Sequence, residues 1–148
     1  MFHSKMTRSV VTLVALATAA SVAPLAAQSK ADSAAARAAA KHFVAQVDNG
    51  AYTATWQTAS AQLKAAVDSA GWAKALETAR GNFDPLTART EAHFSFVSDP
   101  PNSPPGEYAL VGYHAKAKGG ANVTERVVLV HVSGKWLVAG YFIQPGLL

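Results

Sequence analysis

Three runs of β-forming residues close the chain: Glu107–Ala117, Val123–Val132 and Lys135–Ile143. Gly119-Gly120, at the centre of Lys118–Asn122, and Ser133-Gly134 separate them. Connections this short join neighbouring antiparallel strands and leave no room for a crossover. A fourth run, Thr87–Val97, alternates, with Ala88, Thr90, Ala92, Phe94 and Phe96 on one side and Arg89, Glu91, His93 and Ser95 on the other. Between it and the next strand lies Asp99–Gly106, whose Pro100, Pro101, Pro104 and Pro105 suit an exposed loop rather than strand interior. The second half of the chain therefore reads as a four-stranded antiparallel meander.

Before Pro85 the periodicity is helical. Ser29–Asn49 holds Ala36, Ala40, Phe43, Val44 and Val47 at the spacing of one buried face, with Asp32 or Ser33 as cap and Asn49-Gly50 as stop. Tyr52–Ala59 places Tyr52 and Trp56 one turn apart. Ser60 is placed to cap Ala61–Val67, in which Leu63 and Val67 point inward. Trp72–Arg80 carries Trp72, Leu76 and Ala79 on its apolar side and stops at Gly81. Helices followed by strands make an α+β domain, with the N-terminal helices packed on one face of the meander sheet.

Two-residue turns fix a register, and the register assigns faces. With Gly119-Gly120 as the turn, His114 lies opposite Glu125, and with Ser133-Gly134 as the next, Val127 lies opposite Gly140 and His131 opposite Trp136. The helix-facing side then takes Phe94, Phe96, Val111, Tyr113, Val128, Val130, Leu137, Ala139, Tyr141 and Ile143. The outer side takes His93, Gly112, His114, Glu125, Val127, Leu129, Trp136, Val138 and Phe142. One bulge would exchange part of these sets.

Residues 1–27 carry the marks of a secretory leader. Lys5 and Arg8 precede the apolar stretch Val10–Leu25, and Leu25-Ala26-Ala27 offers small residues ahead of a cut before Gln28. Pro24 interrupts the stretch, and Ala and Thr dilute it, so export with cleavage is expected rather than a retained anchor. The expected mature protein is one domain, residues 28–148, located in the periplasm or outside the cell and meeting the membrane only transiently during export. It keeps 11 of the 13 basic residues against 9 acidic ones, a net +2 with no basic run, which is no nucleic-acid footprint. The absence of cysteine excludes disulfides, thiol catalysis, thiolate metal sites and a lipid-modified cysteine.

Asp48-Asn49-Gly50-Ala51-Tyr52, Thr55-Trp56 and Ala59-Ser60 resemble the opening of the bacterial domain-of-unknown-function family 4019. The resemblance continues through Trp72, Arg80, Arg89, Pro104-Pro105-Gly106-Glu107-Tyr108 and Glu125 to Gly134-Lys135-Trp136-Leu137-Val138-Ala139-Gly140-Tyr141, covering about Phe43 to Ile143. It implies a small exported protein without an assigned activity. The layout of helices followed by a curved sheet also looks like the nuclear-transport-factor-2/cystatin-like superfold. That superfold hosts isomerases, dehydratases, carriers and dimerisation modules, so it names no function, and this chain has no clear counterpart of the acid–base carboxylates of its enzymes.

The chemistry-bearing residues are few. His93, His114 and Glu125, if on one face, have the donor types for zinc, but their spacing matches no short metal motif, and a solvated face with a cross-strand His–Glu pair explains them. No metal and no cofactor are expected. Glu125 is the one carboxylate well inside a strand, hence the best candidate for a pocket acid, although exposure opposite His114 is the simpler expectation. No nucleophile elbow surrounds Ser60, Ser95, Ser98 or Ser133. Trp56, Trp72, Tyr113 and Tyr141 are placed to line an apolar pocket or to fill the core, and Arg80 and Arg89 flank the helix-to-sheet linker within reach of Glu77 or Glu91.

A non-enzymatic exported domain that binds or dimerises follows from these readings. Its speculative pocket is Trp56, Trp72, Arg80, Tyr113, Glu125 and Tyr141, and its dimer surface is the apolar strip Leu129, Trp136, Val138 and Phe142. A carrier of a small apolar ligand between helices and sheet is the alternative. An isomerase- or hydratase-like enzyme stands behind both, because it needs a carboxylate or histidine buried at a cavity.

Overall fold

The computed structural model describes residues 25–148, and the expected leader 1–27 lies almost wholly outside them. Four helices come first: α1 (Leu25–Asp48), α2 (Tyr52–Gln57), α3 (Ala61–Ala66) and α4 (Ser69–Gly81). Four strands follow, β1 (Thr87–Ser98), β2 (Glu107–Lys116), β3 (Asn122–Val132) and β4 (Lys135–Pro145), paired in sequence order as an antiparallel sheet. Ser60 caps α3 by accepting from the Leu63 N–H, as its position predicts. Asp68 caps α4 by accepting from the Gly71 N–H at 2.7 Å. Asp32 and Ser33, expected as caps, lie inside α1, because the helix runs back to Leu25. Among the described residues no helix is long and apolar enough to cross a membrane.

The core lies between α1, α2, α4 and one face of the sheet. Ala36, Ala40, Phe43, Val44 and Val47 of α1 meet Ala109, Val111, Tyr113, Val127, Leu129 and Val138 of the strands. The apolar stripe of α1 is thus buried as its spacing requires. Trp72 and Tyr141 both pack against the Phe43 ring, with centroids at 6.5 and 5.4 Å.

Three local devices correct the expected faces. The β2–β3 connection is a three-residue loop, Lys118-Gly119-Gly120, closed by Ala117 N–H donating to the Ala121 carbonyl at 2.8 Å. Tyr113 therefore pairs with Glu125 and His114 with Thr124, one residue from the predicted register. Because side chains alternate with a period of two, this slip turns every β3 side chain over. Glu125, Val127 and Leu129 face the helices, and Val128 and Val130 face away. In β4 the extra residue Ala139 sits between the Val128–Gly140 and Leu129–Val138 pairs. Trp136 and Val138 before this bulge, and Tyr141 after it, all end on the helix side. In β1, Ala92 is left over between the Glu91–Tyr113 and His93–Gly112 pairs, and a further irregularity spans Thr87 to Thr90. These put Arg89 and Glu91 on the helix side and leave His93 outside.

The outer apolar strip expected to support a dimer consequently dissolves. Leu129 and Val138 are core residues, Trp136 packs against the core, and of the four only Phe142 projects outward, 61% exposed.

Candidate functional site

Six polar side chains from five elements and a linker meet at one end of the helix–sheet interface. Arg80 stands in the last turn of α4 and is 1% exposed, while Glu125 of β3 is 0% exposed. Arg89 Nε donates to Glu125 Oε2 at 2.6 Å, and Tyr141 Oη donates to Glu125 Oε1 at 2.6 Å. Arg89 also grips Asp48, at the end of α1, through Nη1 to Oδ2 at 2.6 Å and Nη2 to Oδ1 at 2.9 Å. Arg80 Nη2 reaches the same Asp48 Oδ1 at 2.7 Å, and Arg80 Nε reaches Asp84 Oδ1 at 2.8 Å. Arg80 Nη1 lies 3.6 Å from Glu125 Oε1, an ion pair too long for a hydrogen bond, and has no hydrogen-bond partner.

Charge pairing overrides desolvation at Asp48, Arg80 and Arg89. Burial alone would raise the Asp48 pKa, but the hydrogen bonds from Arg89 and Arg80 hold it below its ordinary value. Burial would lower both arginines, yet their carboxylate partners raise them. Tyr141 is raised first by burial and then by the Glu125 charge beside it, so its phenol stays protonated and donates.

Next to this network α1 and β1 part company. Two ionic bridges span the gap: Arg37 Nε to both Glu91 oxygens at 2.9 and 3.0 Å, and the Asp48–Arg89 pair. Their helix ends stand eleven residues apart, about 16 Å along α1 at 1.5 Å per residue. Between them opens a groove of about 530 Å³ lined by Ala38, Lys41, Val44 and Ala45 of α1 and by Arg89, Glu91 and Tyr113 of the sheet. Arg37 closes one end with its guanidinium stacked 3.8 Å above the Phe94 ring.

Most polar groups along the groove are committed. Glu91 is held by Arg37, and Arg89 by Asp48 and Glu125. Among the described residues Lys41 Nζ and Tyr113 Oη make no hydrogen bond or ion pair. Tyr113 is raised by burial and by the Glu91 charge, so it presents a neutral phenol. The groove therefore offers one free ammonium and one free hydroxyl beside aliphatic walls.

The speculative pocket of the sequence reading separates into three groups. Arg80, Glu125 and Tyr141 do come together, in the buried network. Tyr113 lines the groove instead. Trp56 and Trp72 belong to neither: Trp56 Nε1 donates to the Val67 carbonyl and Trp72 Nε1 to Thr55 Oγ1, each at 2.9 Å. Glu125, expected to be exposed opposite His114, lies on the other face from His93 and His114, so that trio cannot share a metal. Among the described residues no three His, Asp or Glu side chains gather to hold one. The arginine partners also differ from those expected, since Glu77 pairs with Lys74 and Glu91 with Arg37.

No sequence motif singles out Asp48, Asp84, Arg37 or Lys41 for chemistry. Asp48 and Asp84 sit at a helix end and before a proline, where aspartate ordinarily serves a turn. The available signal was a buried-face neighbour: Lys41 and Ala45 flank Val44 on α1, at the edge of its apolar stripe.

The profile of the family described as "Protein of unknown function (DUF4019)" matches residues 39–141, a span that includes the whole buried network and most of the groove. No curated protein matches the sequence.

Proposed function

Because the chain belongs to the DUF4019 family of proteins of unknown function, we propose that it is a non-catalytic binding domain that holds a small amphipathic anion in the α1–β1 groove. The observation that carries this reading is the pairing of Lys41 and Tyr113 as unengaged polar groups above an apolar wall in a space of about 530 Å³. Small-ligand sites combine these ingredients: a mostly apolar concavity and a few convergent polar groups. An acidic head would take the Lys41 charge and the Tyr113 hydrogen bond. An apolar body would lie against Val44, Ala38, Ala45 and the aliphatic stems of Arg37 and Arg89.

The same geometry favours binding over catalysis. The carboxylates beside the groove are all occupied, Glu91 by two bonds from Arg37, Asp48 by Arg89 and Arg80, and Glu125 by Arg89 and Tyr141. None has a free oxygen aimed at a ligand proton. The leader at 1–27 supports a periplasmic or secreted location, and helices followed by a sheet support the nuclear-transport-factor-2/cystatin-like layout.

Octanoate and octanol, which share a chain and differ in the head, test the reading by amide-resolved NMR titration. We expect saturable shifts with octanoate at Ala38–Ala45 and Tyr113, much weaker binding of octanol, and loss of octanoate binding in Lys41→Glu. Ala45 is exposed on α1, so Ala45→Trp should fold and fill the groove. Absence of saturation with octanoate, or saturation that ignores both substitutions, overturns the proposal.

A further inference from the structure

On the opposite side of the sheet from the α1–β1 groove, the geometry points to a second site, one for an oxyanion, built by His93, His114 and Arg126 around Gly112. A depression of about 270 Å³ is lined there by Ala92, His93, Gly112, His114, Thr124 and Arg126, with Leu148 at its edge. Strand register assembles it. Gly112 pairs with His93 of β1 on one side and with Arg126 of β3 on the other, and His114 follows two residues along β2 on the same face. His93 alternates with the inward Phe94 and so stays on this face, while the Ala92 bulge turns Glu91 to the other. Gly112 keeps the floor low, because a Cβ there would come within 3.2 Å of the His93 Cβ.

Two polar groups of this depression, His114 Nε2 and the Arg126 guanidinium, are unspent. His114 Nε2 is buried and has no hydrogen-bond partner. A buried ring nitrogen is costly to leave unpaired, so a ligand or water that reaches it is favoured. Arg126 makes no ion pair or hydrogen bond among the described residues, and no Asp or Glu lines the space. Of the remaining polar groups, His93 Nε2 lies 3.1 Å from Ser95 Oγ, and Thr124 Oγ1 donates to the Gly146 carbonyl. A guanidinium beside two imidazoles, with no third metal-ligating side chain, repels a divalent cation and suits phosphate or carboxylate oxygens.

Inorganic phosphate titrated into the full chain at neutral pH and low ionic strength is the test, read at the Gly112 amide and the His114 ring by NMR. Saturable millimolar binding is expected, about tenfold weaker in Arg126→Gln, as for loss of a charge-assisted contact. Arg126 is exposed, so this variant should unfold at the temperature of the parent. Lys41→Glu should leave phosphate binding unchanged, which separates this site from the groove. Acetate saturating the same resonances where phosphate does not assigns the site to carboxylates. A response that never saturates, one indifferent to Arg126→Gln, or saturation by zinc in place of either anion overturns the proposal.

Discussion

Glu125 has no contact with water, and both its oxygens are occupied by donors from other elements, Arg89 on Oε2 and Tyr141 on Oε1. Burying a charged pair stabilises a fold little, but removing one partner strands the other. Glu125→Gln keeps the shape and leaves Arg89 and Arg80 short of a counter-charge, so we expect a loss of about 3 kcal/mol in the urea unfolding free energy. Tyr141→Phe removes one hydrogen bond to a charged acceptor and should cost about 1.5 kcal/mol. Since both changes act on the same carboxylate, the double variant should lose less than the sum. Additive losses would mean that Tyr141 and Glu125 are not coupled as their 2.6 Å contact implies.

At the scale of elements, three small irregularities decide which side chains meet. The Lys118-Gly119-Gly120 loop holds Gly119 and Gly120 at φ of +84° and +87°, a region where other residues are strained. Gly120→Ala should therefore cost about 1 kcal/mol without changing the fold. Deleting Gly119 leaves Lys118-Gly120 as a two-residue turn between the same Ala117–Ala121 pair, so Val127 and Leu129 should stay inward and circular dichroism should keep a cooperative thermal transition. Loss of that transition would show that the third loop residue is needed to hold the register. The extents of the helices and strands were legible in the sequence, because helical spacing at Ala36–Val47 and the turn residues at Ser133-Gly134 are local signals. The inward set of β2, Val111 and Tyr113, was legible for the same reason. The faces of β3 were not, since Gly119-Gly120 fits a two- or a three-residue loop and only the packing of Val127 and Leu129 against α1 chooses. The buried network was legible least. A lone Glu in a strand is ordinarily exposed. Its burial depends on Arg89, turned inward by an irregular strand, and on Asp48, 41 residues before that arginine.

For the whole molecule the network acts as a tie between layers. Asp48 comes from α1, Arg80 from α4, Arg89 from β1, Glu125 from β3 and Tyr141 from β4, so helices and sheet share one set of charges. Its pH dependence has two limbs. Asp48 titrates below its ordinary value of 3.8 in the folded protein, so its contribution is present above that value and disappears as pH falls through the lowered one. Tyr141 is shifted the other way from 10.0, so its contribution holds below pH 10.0 and declines above it, where the unfolded chain gains a phenolate that the folded one resists. The urea midpoint should thus be level from about pH 5 to 9 and fall on both sides. Asp48→Asn should lower the plateau and flatten the acid limb, while Tyr141→Phe should flatten much of the alkaline limb, leaving the part due to Tyr113. Because the tie crosses both layers, far-ultraviolet circular dichroism and tryptophan fluorescence should report one midpoint at each pH. Trp72 packs among the helices and Trp136 lies on the sheet, so separate midpoints in acid would mean that the helices detach from a sheet that survives without them.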